Sequence, residues 1–343
     1  MEKYLSLLNG KIITILLLAL IVLPLSFRAE ANGAGFPKLV DWNNFLVADF
    51  GDNGLRAYSK DGGGEGSWQS LASEGNVNQM AVWNGNLAVD FGQGRGLKYH
   101  DGNSWTPMTS WEDVNHMTAW DGKLVVDFGQ GRGIRYYENG SWEWLTGWED
   151  VNHLLSWGTK LVIDFGQGRG MRYYENGSWG WLTNWEDARH MAVWDGSLAV
   201  DFGEGRGLRY HDGTSWNWLT NWDDVNHMTA WDGKLAVDFG QGRGMRYYDG
   251  ATATWGWLTN WDDVNHFISW DGRLAVDFGQ GRGFRYYQDG SWNRLTGLED
   301  FAEVVTWHDG IMNNLAADFG VGEGLYYHDG DSWNWTTNWS TAD

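Results

Sequence analysis

The chain contains no cysteine and only three prolines in 343 residues, and its basic side chains are far outnumbered, 24 Lys+Arg against 45 Asp+Glu for a formal net charge of -21. Without thiols there is no disulfide framework, no cysteine nucleophile and no thiolate metal site. The charge argues against nucleic acid and anionic membrane surfaces, which are held by basic patches. Long apolar runs are also missing, with one exception at Ile12 to Leu25, preceded by Lys3 and Lys11. That run is short for a bilayer span but right for a secretory leader, and Ala29-Glu30-Ala31 supplies a small-x-small end. Residues 1–31 are therefore expected to be a signal peptide and 32–343 one secreted or periplasmic domain. Removing three positive and two negative charges with the leader takes -21 to -22. Arg28, unusual so near a cleavage site, keeps an uncleaved N-terminal anchor as the alternative.

What the chain does have is repetition. Asp-Phe-Gly recurs with its Asp at 49, 90, 127, 164, 201, 238, 277 and 318, at gaps of 41, 37, 37, 37, 37, 39 and 41 residues. A period near 40 marks a propeller or solenoid. Within Val114 to Asp150, four runs rich in β-branched and aromatic residues are separated by Asp121-Gly122, Gln130-Gly131-Arg132-Gly133 and Asn139-Gly140. Asp-Gly and Asn-Gly between such runs signal type I′ hairpins, and no window shows a helical period. Four antiparallel strands per unit make a propeller blade. The fold class is thus all-β, an eight-bladed propeller running from about Phe36 to Trp339. Seven blades is the alternative if a terminal unit packs irregularly, and an open β-solenoid is the runner-up.

Antiparallel order separates the loops. With strands A to D, the A–B and C–D turns share one face and are minimal. The B–C and D–A connections share the other, and they carry the chemistry. Trp42, Trp83, Trp120, Trp157, Trp194, Trp231, Trp270 and Trp307 end the innermost strand, and Trp68, Trp105, Trp142, Trp179, Trp216, Trp255, Trp292 and Trp333 open strand D. Both registers read as core. Trp144, Trp181, Trp218, Trp257 and Trp335 follow two residues later, on the same side of strand D by alternation.

The candidate binding residues lie on the loaded face. Trp111, Trp148, Trp185, Trp222 and Trp261 open the D–A loop, with Trp339 in the same register. An indole there reads either as a platform for the apolar face of a sugar or as a plug between blades. Each is followed by an acidic pair ending in Asp113, Asp150, Asp187, Asp224 or Asp263, then by His116, His153, His190, His227 or His266. The B–C loop supplies Arg95, Arg132, Arg169, Arg206, Arg243 and Arg282, with Gln93, Gln130, Gln167, Glu204, Gln241 and Gln280 two residues earlier. Arg–carboxylate bridges between blades are the structural alternative to ligand contacts. Strand residues recur eight times and face residues only five or six, which favours a repeated binding site. Asp-Phe-Gly has no kinase companion motif, Gly-Gln-Gly-Arg-Gly no following helix, and the histidines no i, i+4 partner. No metal or cofactor is expected.

The blade pattern from Phe36 to Trp339, aromatic-rich and with one candidate site per blade, resembles β-propeller repeat proteins, and in architecture the secreted propeller lectins of the tachylectin and fucose-lectin type. That resemblance implies carbohydrate binding, although those lectins use longer repeats and no specific sugar motif matches. The expected function is a multivalent, lectin-like binder of glycans and not an enzyme. A scaffold for another extracellular or periplasmic protein is the alternative, and a propeller glycosidase or lyase a further one. Catalysis would need one asymmetric pair of carboxylates, which near-identical units do not provide.

Overall fold

Hairpin chemistry explains the strand pattern directly. Asp121 and Gly122 take φ of 47° and 73°, and Asn139 and Gly140 take 50° and 84°, the paired positive values of a type I′ turn. The computed structural model describes residues 38–341, apart from 61–65, single positions 93, 130, 167, 204, 241 and 280, and pairs 112–113, 149–150, 186–187, 223–224, 262–263 and 299–300. The expected leader therefore lies outside the described residues. So do Gln93, Gln130, Gln167, Glu204, Gln241 and Gln280, and Asp113, Asp150, Asp187, Asp224 and Asp263.

Eight four-stranded antiparallel sheets form, each from four strands consecutive in sequence. Blade 3 has strand A at His116–Trp120, B at Lys123–Asp127, C at Ile134–Glu138 and D at Ser141–Thr146. Blade 1 starts with Leu39–Trp42, and blade 8 ends with Trp333–Thr337. The eight-bladed reading holds and the seven-bladed one does not. Not all turns on the A–B and C–D face are minimal. The C–D connections of blades 2, 5, 6 and 8 are longer than two residues, and an aspartate carboxylate caps the N–H groups within each, as Asp249 caps Ala251 and Thr252 and Asp101 caps Asn103 and Ser104.

Strand A of every blade lies against strand A of both neighbours, including blade 8 against blade 1, so the A strands surround the axis and the D strands form the periphery. Strand B is sandwiched on both faces, and Leu124, Val125 and Val126 are fully buried. This is why strand B reads as a continuous apolar run and not as an alternating one. The core consists of layers between blades. In one of them, Trp194, Leu208 and Leu219 of blade 5 meet Val225, Leu235 and Phe239 of blade 6.

Two rings of indole N–H groups tie these layers together. Each strand-A tryptophan donates to the A–B turn of the next blade: Trp120 to the Thr159 carbonyl at 2.9 Å, Trp194 to Gly233 at 2.7 Å, and Trp307 across the closure to Asn44 at 3.0 Å. Strand-D tryptophans donate the opposite way, as Trp142 to Met108 and Trp68 to Thr336. The ring thus closes without exchanging a strand between first and last blades.

Candidate functional site

The loaded face is organised around a buried carboxylate at the end of each strand B. The eight aspartates of Asp-Phe-Gly are at most 1 % exposed. One oxygen caps the loop that follows: Asp127 accepts from the Gly129 N–H at 3.0 Å, Asp164 from Gly166 at 3.1 Å, Asp238 from Gly240 at 3.0 Å. The other reaches the D–A connection, where Asp164 accepts from the Ala188 N–H and from Asn152 Nδ2. These bonds pin the B–C loop to the D–A loop, so both chemically loaded connections sit on one face as the strand order requires. A carboxylate held by several N–H donors is a structural anchor.

Beside each of these carboxylates, at or near the start of strand A, the sequence places Lys38, Gln79, His116, His153, His190, His227, His266 and Glu303 around the axis. The Nδ1 atoms of His116, His153 and His227 lie 3.8–3.9 Å from their Asp partners. The His190 ring donates to the Val225 carbonyl of the next blade, and Gln79 Nε2 makes the same contact to Val114 at 2.8 Å. Burial pushes the His190 imidazole down to about 4, helped by neighbouring His227. Burial also lowers His266. The histidines therefore form an inner ring of half-buried, interlocked side chains. Among the described residues no three His, Asp or Glu side chains converge as metal ligands.

The D–A loop tryptophans lie farther out. Trp111, Trp148, Trp185, Trp222 and Trp261 are half-buried and stand edge-on to the Asp-Phe-Gly phenyl ring, with Trp111 to Phe128 at 5.1 Å and Trp148 to Phe165 at 5.0 Å. Their backbone N–H groups are capped by a threonine hydroxyl, as Trp111 by Thr109. The B–C arginines reach the same rings, Arg132 over Trp111 at 5.5 Å, Arg169 over Trp148 at 5.8 Å, Arg243 over Trp222 at 5.4 Å and Arg282 over Trp261 at 5.5 Å. Arg95 instead donates to the Gly75 carbonyl, and Arg206 lies exposed.

At the rim the structure assembles a feature the sequence reading passed over. Strand C carries Arg135, Arg172, Arg209 and Arg246, each paired in register with a strand-D tryptophan: Trp144, Trp181, Trp218 and Trp257. The guanidinium lies between two indoles. Arg135 is 4.5 Å from the Trp144 ring and 5.0 Å from Trp111; Arg209 is 3.5 Å from Trp218 and 4.5 Å from Trp185. The outer indoles remain 49–53 % exposed, about what is left when one face of the ring is covered and the other is bare. Blade 8 has Trp335, 59 % exposed, opposite Tyr326; blade 7 has Arg294 opposite Arg285. Ser70 and Pro107 hold this position in blades 1 and 2. The signal was present in the sequence as Arg two residues after the B–C glycine, set against the second tryptophan of strand D.

No protein-family model matches the sequence, and no curated protein matches it. Solved structures do. The chain is similar to a streptogramin B lyase structure at 11 % identity, covering 73 % of this chain and 92 % of that one, with a TM-score of 0.47. It is similar to the β-propeller domain of the trilobed protease from Pyrococcus furiosus, described as an open velcro topology, at 12 % identity over 78 % and 97 % of the two chains, with a TM-score of 0.48. It is also similar to the WD40 propeller domain of Doa1, at 13 % identity over 77 % and 98 %, with a TM-score of 0.44.

Proposed function

We propose that this protein is a secreted, multivalent, non-catalytic binder of carbohydrates, and that its platforms are the outer-rim tryptophans. The observation that carries this reading is the set of five strand-D indoles, Trp144, Trp181, Trp218, Trp257 and Trp335, each 49–59 % exposed at the same register. An exposed, rigidly backed indole suits the C–H face of a pyranose, and nearby polar side chains suit its hydroxyls. The loop tryptophans support the platform from behind by holding the arginine that backs the exposed ring, while the histidines, around the axis, lock neighbouring blades. Four or five similar sites around one rim give avidity for a repetitive polysaccharide without strong individual contacts. Near-identical blades also favour binding over catalysis, which needs one asymmetric pocket.

A glycan array read alongside intrinsic tryptophan fluorescence tests this. Saturable binding abolished by Trp144→Ala, Trp181→Ala, Trp218→Ala and Trp257→Ala together, with the melting transition intact, is the expected result. Silence across the array would end the carbohydrate reading in favour of a protein scaffold.

A further inference from the structure

Among the described residues the guanidinium groups of the rim have no anionic partner. Arg135, Arg172 and Arg246 leave a buried Nε with no acceptor, and Arg209 spends its Nε on the Arg206 carbonyl. Among the described residues no carboxylate makes an ion pair with any of the four, in a chain with 45 acidic side chains. Stacking between two indoles offsets part of the cost of holding such a charge. An exposed indole at this register does not require one, since blade 8 sets Tyr326 opposite Trp335. The side chains are half-exposed, so the planar, five-donor group, held between its two indoles on the covered face of the outer one, is open to a ligand past the edge of that ring.

Resting on the carbohydrate reading, we infer that the ligand of the four Arg-backed indoles is an acidic saccharide, its ring lying on the exposed tryptophan and its carboxylate or sulfate reaching past the edge of that ring to the guanidinium behind it. Both anions accept the two parallel N–H bonds that a guanidinium fork offers. The overall negative charge of the protein opposes approach of a polyanion at low ionic strength. At ~0.15 M salt that long-range repulsion is screened beyond about 8 Å, while the local pair is retained. Trp335, with no arginine behind it, is the neutral reference site within the same molecule.

The test uses matched polymers with the full chain at ~0.15 M salt. Polygalacturonate and its methyl ester differ in the charge of the uronate. Chondroitin sulfate and chondroitin differ in the sulfate. A neutral galactan completes the set. Tryptophan fluorescence should report at least roughly tenfold tighter binding to one acidic polymer than to its neutralised or desulfated counterpart, and which pair discriminates identifies the anion. Replacing the four arginines together (Arg135→Gln, Arg172→Gln, Arg209→Gln, Arg246→Gln) should remove that preference, read as the ratio of acidic to neutral polymer binding by the same variant. The corresponding Lys set, which keeps the charge but not the fork, should show a reduced preference, and it decides the question if the Gln set does not fold. Equal binding of acidic and neutral polymers, or a preference unaltered in the substituted proteins, overturns the acidic-ligand inference while the carbohydrate reading stands. Failure to bind any of the five polymers overturns both.

Discussion

Blades 3 to 6 and the junction of blade 8 with blade 1 build the same interface from different chemistry. Between central blades the contacts seen among the described residues include indole N–H to carbonyl, histidine to carbonyl, and Asp-Phe-Gly loops anchored on buried aspartate. At the junction the common tryptophan bond persists, Trp307 to Asn44, but charge joins it. Lys60 of blade 1 meets Asp309 of blade 8 at 2.7 Å and the Lys38 N–H donates to Glu303 at 2.8 Å, while Lys38 Nζ pairs within blade 1 with Asp49 at 3.0 Å. Arg56 of blade 1 stacks on Trp339 at 4.3 Å. Near-identical repeats could pair in any order, and generic contacts cannot say which blade comes last. Complementary charges at the two ends can, by making the correct closure better and wrong partners worse.

The largest effect should come from removing the shared element on each side. Trp307→Ala and Trp194→Ala each delete an almost fully buried indole and its hydrogen bond, and each should cost about 3–5 kcal/mol. Their consequences should differ. Trp194 lies where the chain itself holds blades 5 and 6 together, so its loss should only lower the melting temperature. Trp307 lies where no strand crosses, so its loss should open the ring and enlarge the radius of gyration in small-angle scattering. Identical scattering from the two variants would show that closure does not depend on the junction.

Next come the charges. Lys38→Met leaves the Asp49 carboxylate, 1 % exposed, without its counter-ion, and should cost about 2–3 kcal/mol after allowance for the partly exposed lysine. With Lys60→Met added, the junction also loses its ion pair across the two blades, Lys60 to Asp309. Swapped dimers should then form, visible by light scattering on a sizing column. A strictly monomeric double variant would remove the ion pairs from any role in blade order.

Acid separates the two regions by sign. His190 is held at about 4 against an ordinary 6.5, because burial disfavours its charged form. Its contribution to stability is complete above 6.5 and is lost as pH falls through 6.5 toward 4, up to roughly 2 kcal/mol between pH 7 and pH 5. Asp41, at the junction beside His308, is pushed up to about 6 by burial, partly offset by the His308 N–H. The protonated form is favoured in the fold, so that contribution is present below 3.8 and lost as pH rises through 6. His190→Gln, the residue blade 2 uses at this position, should flatten the acid side of a melting-temperature profile. Asp41→Asn should flatten the limb between pH 4 and 6. Unchanged profiles would mean that neither group titrates differently on folding.

The sequence made the blades legible because each signal there has one local cause. Asp-Gly and Asn-Gly force the turns, and strand B is apolar because both its faces are covered. The site was harder to read, because burial of a tryptophan depends on what the neighbouring blade presents. Trp111 and Trp144 are alike in composition and context. The first is covered by Phe128, while the second lies on the outermost strand, with no further strand beyond it. Alternation correctly put Trp144 on the same side as Trp142, but it could not show that the layer ends before reaching Trp144. The strand-C arginines escaped attention for the same reason: their meaning comes from register across the hairpin.

The smallest expected effect sharpens the comparison most. Blade 1 already has Arg56 stacked on Trp339, and the strand-D residue facing Arg56 is Ser70 where the central blades have tryptophan. Ser70→Trp would complete the sandwich of blades 3 to 6 at the junction. On an exposed strand position it should change stability by no more than about 0.5 kcal/mol. If rim indoles are the platforms, ligand stoichiometry should rise by one, with the added tryptophan quenched in step with the others. The converse change, Trp181→Ala, should lower stoichiometry by one at a similarly small cost in stability. A stoichiometry indifferent to both would place binding elsewhere on the face, since the two variants alter only the number of bare indoles while every interface between blades stays intact.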